Sequence, residues 1–281
     1  MGECYQPKSL EISLDSIKEA RKIIQASGNV KRTPILPHME DFLPEELQKT
    51  GLQLWLKLEN MQTTGSFKIR GSTVQFHEAS KFLKPGQGVI CYSGGNYGKA
   101  FAYVAGKTGM PAIVLMPDTH GGWLVSGAGS GYSAGVLWRG GLLSGVAAGF
   151  RLSGLTETKI FGVEPHTANT MSRSFSEGRV AELPSARSIA TGLVPIRSGD
   201  VSYPLSRRFV DGIIELSDQD IIDANRTLTE WKLLVEVSGG AALAALLSGK
   251  VPVSVEGKKV VVIVSGGNTS LSTLREITQL P

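Results

Sequence analysis

One segment of the sequence restricts the fold more than any other. The apolar strand 88–92 leads directly into a glycine-rich turn at 93–98, and a helix begins there. Gly109-Met110-Pro111 ends that helix, and 112–117 then reads as a buried strand of the parallel type. Strand, turn, helix and strand in this order form a β-α-β unit. The segment therefore predicts an α/β fold with parallel strands.

The turn Ser93-Gly94-Gly95-Asn96-Tyr97-Gly98 is also a candidate binding site. The first N–H groups of a helix have no partner within the helix, and its dipole is positive at that end, so the two together attract anions. On this motif alone, a plain tight turn between a strand and a helix is an equally good interpretation.

A second candidate is a single lysine, Lys68, in the segment Gly65-Ser66-Phe67-Lys68-Ile69-Arg70-Gly71, which follows an alternating strand at 52–58. Burial lowers the pKa of a lysine, and the free amine can then form a Schiff base with a carbonyl group. The neighbouring glycines would let a flat ligand approach the backbone closely. For a lone lysine, a solvated position in a loop is the simpler interpretation.

Together, the segments 57–60 and 64–71 resemble the cofactor-lysine segment of the serine/threonine dehydratase and serine racemase family. These are enzymes dependent on pyridoxal 5'-phosphate (PLP), with the tryptophan-synthase-β fold. The resemblance implies that Lys68 is the Schiff-base and catalytic lysine, and that Phe67 lies beside the pyridine ring.

The same resemblance implies a two-domain α/β fold with open, mostly parallel sheets flanked by helices. The large PLP-binding domain would comprise residues 1–71 and 132–281, and the small, truncated domain residues 72–131. The cofactor would lie between the two domains, as ligands often do.

The turn at 93–98 is similar to the family's Ser-x-Gly-Asn-His-Gly loop, with tyrosine where histidine is usual. The similarity implies that Asn96 contacts the ring oxygen of PLP. It also implies that four residues contact the substrate carboxylate: Ser93, Gly94, Asn96 and Tyr97.

Ser265 follows the buried strand 259–264 and resembles the serine that hydrogen-bonds the pyridine nitrogen in this family. Ligands of open α/β sheets collect at such strand ends. A neutral hydroxyl would leave the nitrogen largely unprotonated, which favours elimination. A serine in an ordinary turn is the alternative interpretation.

Gly94 separates two chemistries. In the racemases of this family the corresponding residue is a second serine, which acts on the face opposite the lysine. Racemisation needs a proton acceptor on one face and a donor on the other, and glycine supplies neither. Elimination of a β-hydroxyl needs one base, which Lys68 can be. The resemblance therefore favours an L-serine/L-threonine ammonia-lyase, with serine racemase as the alternative; it does not distinguish serine, threonine and hydroxyaspartate.

The segment before residue 142 departs from the family. Gly140, Gly141 and Leu142 resemble its cofactor-phosphate loop, which usually has four glycines, and the loop fits neither a Walker nor a dinucleotide fingerprint. A few tens of residues are missing between Met116-Pro117 and Gly140. These departures leave a third interpretation open, a catalytically impaired or inactive homologue from a truncated isoform or a faulty gene model.

Glu164 and the Ala168 carbonyl resemble a divalent-cation site of several family members. Thr170 stands where those members have an acidic residue, and the loss of one oxygen ligand weakens Mg²⁺ binding. The expected cofactor is PLP, with Mg²⁺ or a monovalent cation as an optional addition.

The composition restricts the kinds of binding partner that we expect for this protein. The net charge is +4 without any Lys/Arg run, so a nucleic acid is not indicated. The two cysteines lack metal-like spacing, no apolar run reaches the length of a membrane span, and the N-terminus lacks a signal-peptide core. We expect a cytoplasmic protein that binds a small hydroxyamino acid and no membrane. A homodimer is expected by resemblance alone.

Weaker local patterns predict a capping box at 16–19 and strands at 134–138 and 233–236. The polar run 217–220 predicts the start of another helix. Glu236 either faces the cofactor ring or is an edge-strand carboxylate, and the sequence leaves it unassigned.

Overall fold

The computed structural model describes residues 11–117, 123–126, 132–134 and 140–278. Its strands are β1 (Ile35–Leu36), β2 (Gln53–Leu58), β3 (Gly88–Tyr92), β4 (Ala112–Pro117), β5 (Trp123–Ser126), β6 (Tyr132–Ala134), β7 (Phe161–Pro165), β8 (Gly212–Leu216) and β9 (Lys259–Val264). Its helices are α1 (Leu14–Ala26), α2 (Glu45–Gln48), α3 (Lys68–Ser80), α4 (Asn96–Thr108), α5 (Gly141–Leu152), α6 (Thr170–Glu177), α7 (Ser202–Phe209), α8 (Asp218–Glu230), α9 (Ala241–Leu247) and α10 (Leu271–Thr278).

The strands of the described ranges form three sheets, in which parallel pairing predominates. One has the order β1-β2-β9, with β2 and β9 parallel and β1 antiparallel at the edge. Another has the order β5-β4-β3-β6, with only β5 antiparallel. The third is the parallel pair β7-β8. The predicted α/β class and the β-α-β unit β3-α4-β4 are confirmed.

The β5-β4-β3-β6 sheet is built from residues 88–134, and the other two sheets from segments expected in the large domain. Strand β6 pairs within the former sheet, just beyond the boundary expected at residue 131. The division into a large and a small domain stays a prediction.

A leucine-rich core lies between the β1-β2-β9 sheet and α9. Leu54, Leu56 and Val264 are fully buried there, and α9 also packs against β7 and β8. The helix therefore joins the two sheets through one apolar cluster, which makes the carboxyl end of β9 a well-fixed position.

A second apolar cluster lies where α4 packs against α3 and against the β3-β4 pair. Phe76 and Phe101 meet there edge to face, with ring centroids 4.8 Å apart. Ile69 belongs to this cluster and is fully buried, so the start of α3 is held against the core.

Two local predictions are wrong. Helix α1 begins at Leu14, because Ser13 and Ser16 form the capping box: each serine hydroxyl accepts a hydrogen bond from the other's backbone N–H at 3.1 Å. The segment 233–236 forms no strand. It follows a turn in which Lys232 has a φ of 64°. The Glu236 N–H donates to the Gly266 carbonyl at 3.1 Å, but this bond is not part of a β-sheet ladder.

Of two other local predictions, one is confirmed and one falls largely outside the described residues. The helix start at 217–220 is confirmed, because Ser217 caps α8 in a reciprocal box with Asp220. The strand predicted at 134–138 overlaps β6 at Ala134, and residues 135–139 lie outside the described ranges. Among the described helices, none combines the length and apolar character that a membrane span requires.

Neighbouring valines on β9 test the placement of the core. Val262 is 4% exposed and Val261 is 60% exposed, on opposite faces of the strand. Val262→Ala should lower the free energy of unfolding in urea by about 2 kcal/mol, because it leaves a buried cavity. Val261→Ala, the matched control, should change it by less than about 0.5 kcal/mol. Equal losses in the two variants would contradict the assigned face.

Candidate active site

Lys68 is the first residue of α3. Strand β2 ends at Leu58, and a short 3₁₀ turn at Glu59–Met61 leads the chain towards the helix. The fully buried Ile69 anchors the next position in the core. The lysine is therefore not in a free glycine loop, since its backbone is fixed by the first turn of a helix.

An ion pair between Arg70 and the buried carboxylate of Glu59 fixes this first turn to the residue that follows β2. The Arg70 guanidinium donates to both oxygens of Glu59, at 2.9 Å and 2.7 Å, and the Thr33 hydroxyl donates to the same carboxylate at 2.6 Å. Burial alone would raise the pKa of Glu59, but the hydrogen bonds from Arg70 and Thr33 outweigh it and hold that pKa below its ordinary value. The fork-shaped contact gives α3 a defined orientation.

The environment of the Lys68 amine favours its neutral form. Burial lowers the pKa of Lys68, and the nearby Glu236 carboxylate opposes part of that shift. The Lys68 Nζ lies 4.9 Å from the centroid of the Phe67 ring. A lysine that loses its proton more easily is a better nucleophile and a better base.

Backbone pairing brings the end of β9 beside the lysine segment. The Phe67 N–H donates to the Ser265 carbonyl at 3.1 Å, and the Gly267 N–H donates to the Gly65 carbonyl at 2.8 Å. Ser265 is thereby placed next to Lys68. None of the side-chain hydrogen bonds among the described residues involves the Ser265 hydroxyl.

Glu236 is a candidate site residue to which the sequence assigned no role. Its carboxylate accepts a hydrogen bond from Asn96 Nδ2 at 2.5 Å, and its N–H binds the Gly266 carbonyl. Burial raises the pKa of Glu236, while Asn96 and Lys68 act in the opposite direction. The signal in the sequence is weak: one acid within the apolar run 233–237.

The turn at 93–98 presents free backbone donors. Helix α4 begins at Asn96 without a side-chain cap, and its first backbone bond runs from Lys99 to Gly95. The N–H groups of Asn96, Tyr97 and Gly98 therefore lack partners within the helix. Ser93 also lies in this turn, where its hydroxyl accepts from the Gly95 N–H at 3.3 Å, and Gly94 between them is exposed.

Tyr97 has its hydroxyl directed away from this turn. The hydroxyl donates to Gln75 Oε1 of α3 at 2.8 Å, and its ring lies beside Phe101. Burial raises the pKa of Tyr97. What Tyr97 offers an anion at the helix end is thus its backbone N–H.

A second helix without a side-chain cap, α5, begins directly after Gly140, which adopts the left-handed conformation with a φ of 88°. A Cβ there would lie only 2.9 Å from the Met171 methyl and from the Ser202 hydroxyl. Gly141 and Leu142 follow as the first residues of α5. None of the hydrogen bonds among the described residues joins these three positions to the segments around Lys68.

Glu164, the candidate metal ligand, is 7% exposed and already bonded. Its two oxygens accept from the Met171 and Ser172 N–H groups at 3.1 Å and 2.7 Å, at the start of α6. Burial raises the pKa of Glu164 to about 7. Ala168 is buried nearby, and no set of three His, Cys, Asp or Glu within the described residues is arranged to hold a metal. The cation site stays a prediction.

Comparison with known proteins identifies the family. A family model described as "Pyridoxal-phosphate dependent enzyme" matches residues 26–125 and 136–266. An L-threo-3-hydroxyaspartate ammonia-lyase from a Pseudomonas species is 28% identical over 318 residues, covering 92% of this chain and 95% of that protein. A serine racemase from Oryza sativa subsp. indica is 29% identical over 343 residues, covering 98% and 96%.

Solved structures agree with this family assignment. The structure of maize serine racemase superposes with a TM-score of 0.79 at 29% identity, covering 94% of this chain and 97% of that one. The structure of a threonine deaminase from T.th. gives a TM-score of 0.76 at 27% identity, covering 92% and 99%.

The comparisons also confirm that the chain is shortened. The alignment with the Pseudomonas protein runs over 318 residues although it uses only 92% of a chain of 281. That relative therefore carries a stretch of residues with no counterpart here. The family match breaks between residues 125 and 136, within the segment expected to be short.

The described residues fit the cofactor of this family. Lys68 offers a desolvated amine to the aldehyde of PLP, and the unbonded hydroxyl of Ser265 lies next to that lysine. The uncapped start of α5 at Gly140 offers backbone N–H groups to a phosphate. This geometry and the family match lead to one conclusion: the chain belongs to the family of pyridoxal-phosphate dependent enzymes.

Proposed function

We propose that this protein is an ammonia-lyase that eliminates the β-hydroxyl group of L-serine or L-threonine and releases a 2-oxo acid and ammonia. The observation that carries the proposal is the desolvated Lys68 amine, fixed at the start of α3 beside Ser265. The relatives named for threonine and hydroxyaspartate deamination support this class of reaction. Glycine at position 94 supports it over racemisation.

Bound PLP would act as an electron sink, which accepts the electron pair left on the substrate α-carbon when the α-proton is removed. Lys68 would take two roles in turn: its Nζ would hold the cofactor, and after the substrate amine had displaced it, the freed neutral amine would remove the α-proton. Burial favours both, because it lowers the pKa of this lysine and leaves a larger neutral fraction at neutral pH.

The turn at 93–98 binds the substrate carboxylate. The free N–H groups of Asn96 and Tyr97 and the Ser93 hydroxyl surround the positive end of α4. Binding at this end orients the substrate and leaves its β-hydroxyl free to depart.

The remaining contacts orient the cofactor. The Ser265 hydroxyl would hold the ring nitrogen, the Asn96 amide would hold the ring oxygen, and Phe67 would lie beside the ring. The N–H groups of Gly140, Gly141 and Leu142 would hold the phosphate. Because Ser265 is neutral, it withdraws little charge from the ring and favours elimination over reactions that need a stronger electron sink.

The β-hydroxyl leaves as water, with the proton that Lys68 removed from the α-carbon. The released enamine then takes up water, and its carbon–nitrogen bond breaks to give the 2-oxo acid and ammonia. A Mg²⁺ or monovalent cation held by Glu164 and the Ala168 carbonyl would stabilise the fold near α6 rather than act on substrate.

Replacement of the lysine tests the mechanism. Lys68→Ala should lower ammonia release by about 10³-fold or more, because one residue supplies both the base and the cofactor attachment. Borohydride reduction followed by peptide mapping should place the pyridoxyl group on Lys68 of the wild type and on no residue of the variant.

Lys81→Ala is the matched control, since this exposed lysine just beyond α3 only pairs with Glu78 at the surface. It should retain full activity and the pyridoxyl label. Undiminished turnover in Lys68→Ala would contradict the proposed role. A wild-type protein that stays colourless with added PLP would instead favour the inactive homologue.

Position 94 tests elimination against racemisation. With L-serine as substrate, D-serine should form at least about 100-fold more slowly than ammonia, because glycine provides no acid on the face opposite Lys68. Gly94→Ser should raise the D-serine rate, measured by chiral chromatography. Gly95→Ser, which adds the same hydroxyl one residue later, should not. Wild-type D-serine formation as fast as ammonia release would establish the racemase instead.

A further inference from the structure

The side chain of Asn268, four residues beyond β9, is the junction of the candidate active site. Its Nδ2 donates to the Thr64 carbonyl at 2.8 Å and to Asn96 Oδ1 at 2.7 Å. Its Oδ1 accepts from Lys99 Nζ at 2.5 Å. One amide therefore connects the segment before Lys68, the turn at 93–98 and helix α4.

The partners determine which way this amide faces. A lysine ammonium only donates, so the atom of Asn268 that faces Lys99 is the oxygen. A backbone carbonyl only accepts, so the atom that faces Thr64 is the nitrogen. The oxygen and nitrogen of an amide are difficult to distinguish by shape and are assigned from their hydrogen-bond partners. Here two independent partners indicate the same orientation.

The orientation of the Asn268 amide determines the orientation of the Asn96 amide. Since Asn268 presents an N–H group, the atom of Asn96 facing it is the oxygen, and the Asn96 nitrogen faces the other side. There it donates one hydrogen to Glu236 Oε1 at 2.5 Å. Its second hydrogen remains for a ligand in the site.

The backbone leaves space for this junction. Gly65 has a φ of 75°, and a Cβ at this position would overlap the Asn268 amide. The Gly267 N–H also binds the Gly65 carbonyl at 2.8 Å, so the chain on both sides of the amide is held. An open cavity of about 470 Å³ adjoins the junction and is lined by Lys99, Asn268 and Thr273 among others.

We propose that Asn268 is a positioning residue, which Lys99 orients and which keeps the Asn96 amide directed as a hydrogen-bond donor towards the ring oxygen of PLP. The inference rests on the proposed contact between Asn96 and that oxygen. It adds two residues to the site and predicts that their effect depends on hydrogen-bond polarity, not on size.

The decisive variant is Asn268→Asp, which has nearly the same shape. Its oxygens still accept from Lys99, but they present an acceptor to Thr64 and to Asn96 Oδ1. Asn96 is then driven to turn its amide. We expect the dissociation constant of PLP to rise about tenfold, the effect of one or two hydrogen bonds. The ratio of visible to near-ultraviolet absorption of the bound cofactor should also change.

Lys99 supplies the second comparison. Lys99→Met should show the same spectral change in weaker form, because Thr64 still orients Asn268, and Lys99→Arg should restore the wild-type spectrum. Lys107→Met, eight residues further along α4, is the control and should match the wild type. Circular dichroism and thermal unfolding of each variant verify the fold.

The outcomes separate this inference from the proposed function. A wild-type protein that binds no PLP overturns the proposed function and the inference with it. A wild type that binds PLP, together with an Asn268→Asp variant of unchanged affinity and spectrum, overturns the inference alone. A tenfold weaker Asn268→Asp variant with an altered spectrum and an intact fold supports it.

Discussion

The site depends on a few backbone hydrogen bonds between segments that lie about two hundred residues apart in the chain. The pairing of Gly65 and Phe67 with Gly267 and Ser265 joins the start of α3 to the end of β9. Strand β9 is itself fixed by its parallel pairing with β2 and by the core under α9. The position of Lys68 is thus set from two directions, by Ile69 and Arg70 on one side and by β9 on the other.

The electrostatics of the site follow from burial. Lys68 and Glu236 lie close together in a partly desolvated space, where burial lowers the pKa of the lysine and raises the pKa of the carboxyl, and each charged form opposes the shift of the other. A carboxylate that takes a hydrogen bond from Asn96 keeps some negative charge near the lysine. When Lys68 is protonated, this carboxylate offsets part of the cost of burying its charge.

Local patterns predicted much of this fold, because those elements are determined by nearby residues. The unit β3-α4-β4, the strand β9 and the cap of α8 at Ser217 all depend on apolar alternation or on contacts over a few residues. The start of α1 was misplaced because Ser13 and Ser16 are both suitable caps. The strand predicted at 233–236 is wrong because the backbone pairs otherwise: the Leu233 N–H turns back to the Leu228 carbonyl, and the Glu236 N–H meets the Gly266 carbonyl beyond the end of β9.

The candidate site was only partly accessible from sequence. Lys68, Asn96 and Ser265 lie in motifs specific enough to be identified, and the structure brings their segments together. Glu236, Lys99 and Asn268 gain their importance from contacts across 140 to 204 positions of sequence. No local pattern marks such residues, since each is an ordinary polar side chain within its own segment.

The start of α3 has a further effect on the lysine that it carries. The aligned peptide groups of this helix of 13 residues place a partial positive charge at its first turn, where Lys68 stands. An ammonium group attached there is repelled by the helix that holds it, whereas a neutral amine is not. The secondary structure that fixes the position of Lys68 thus also acts against its protonation, without any additional charged residue.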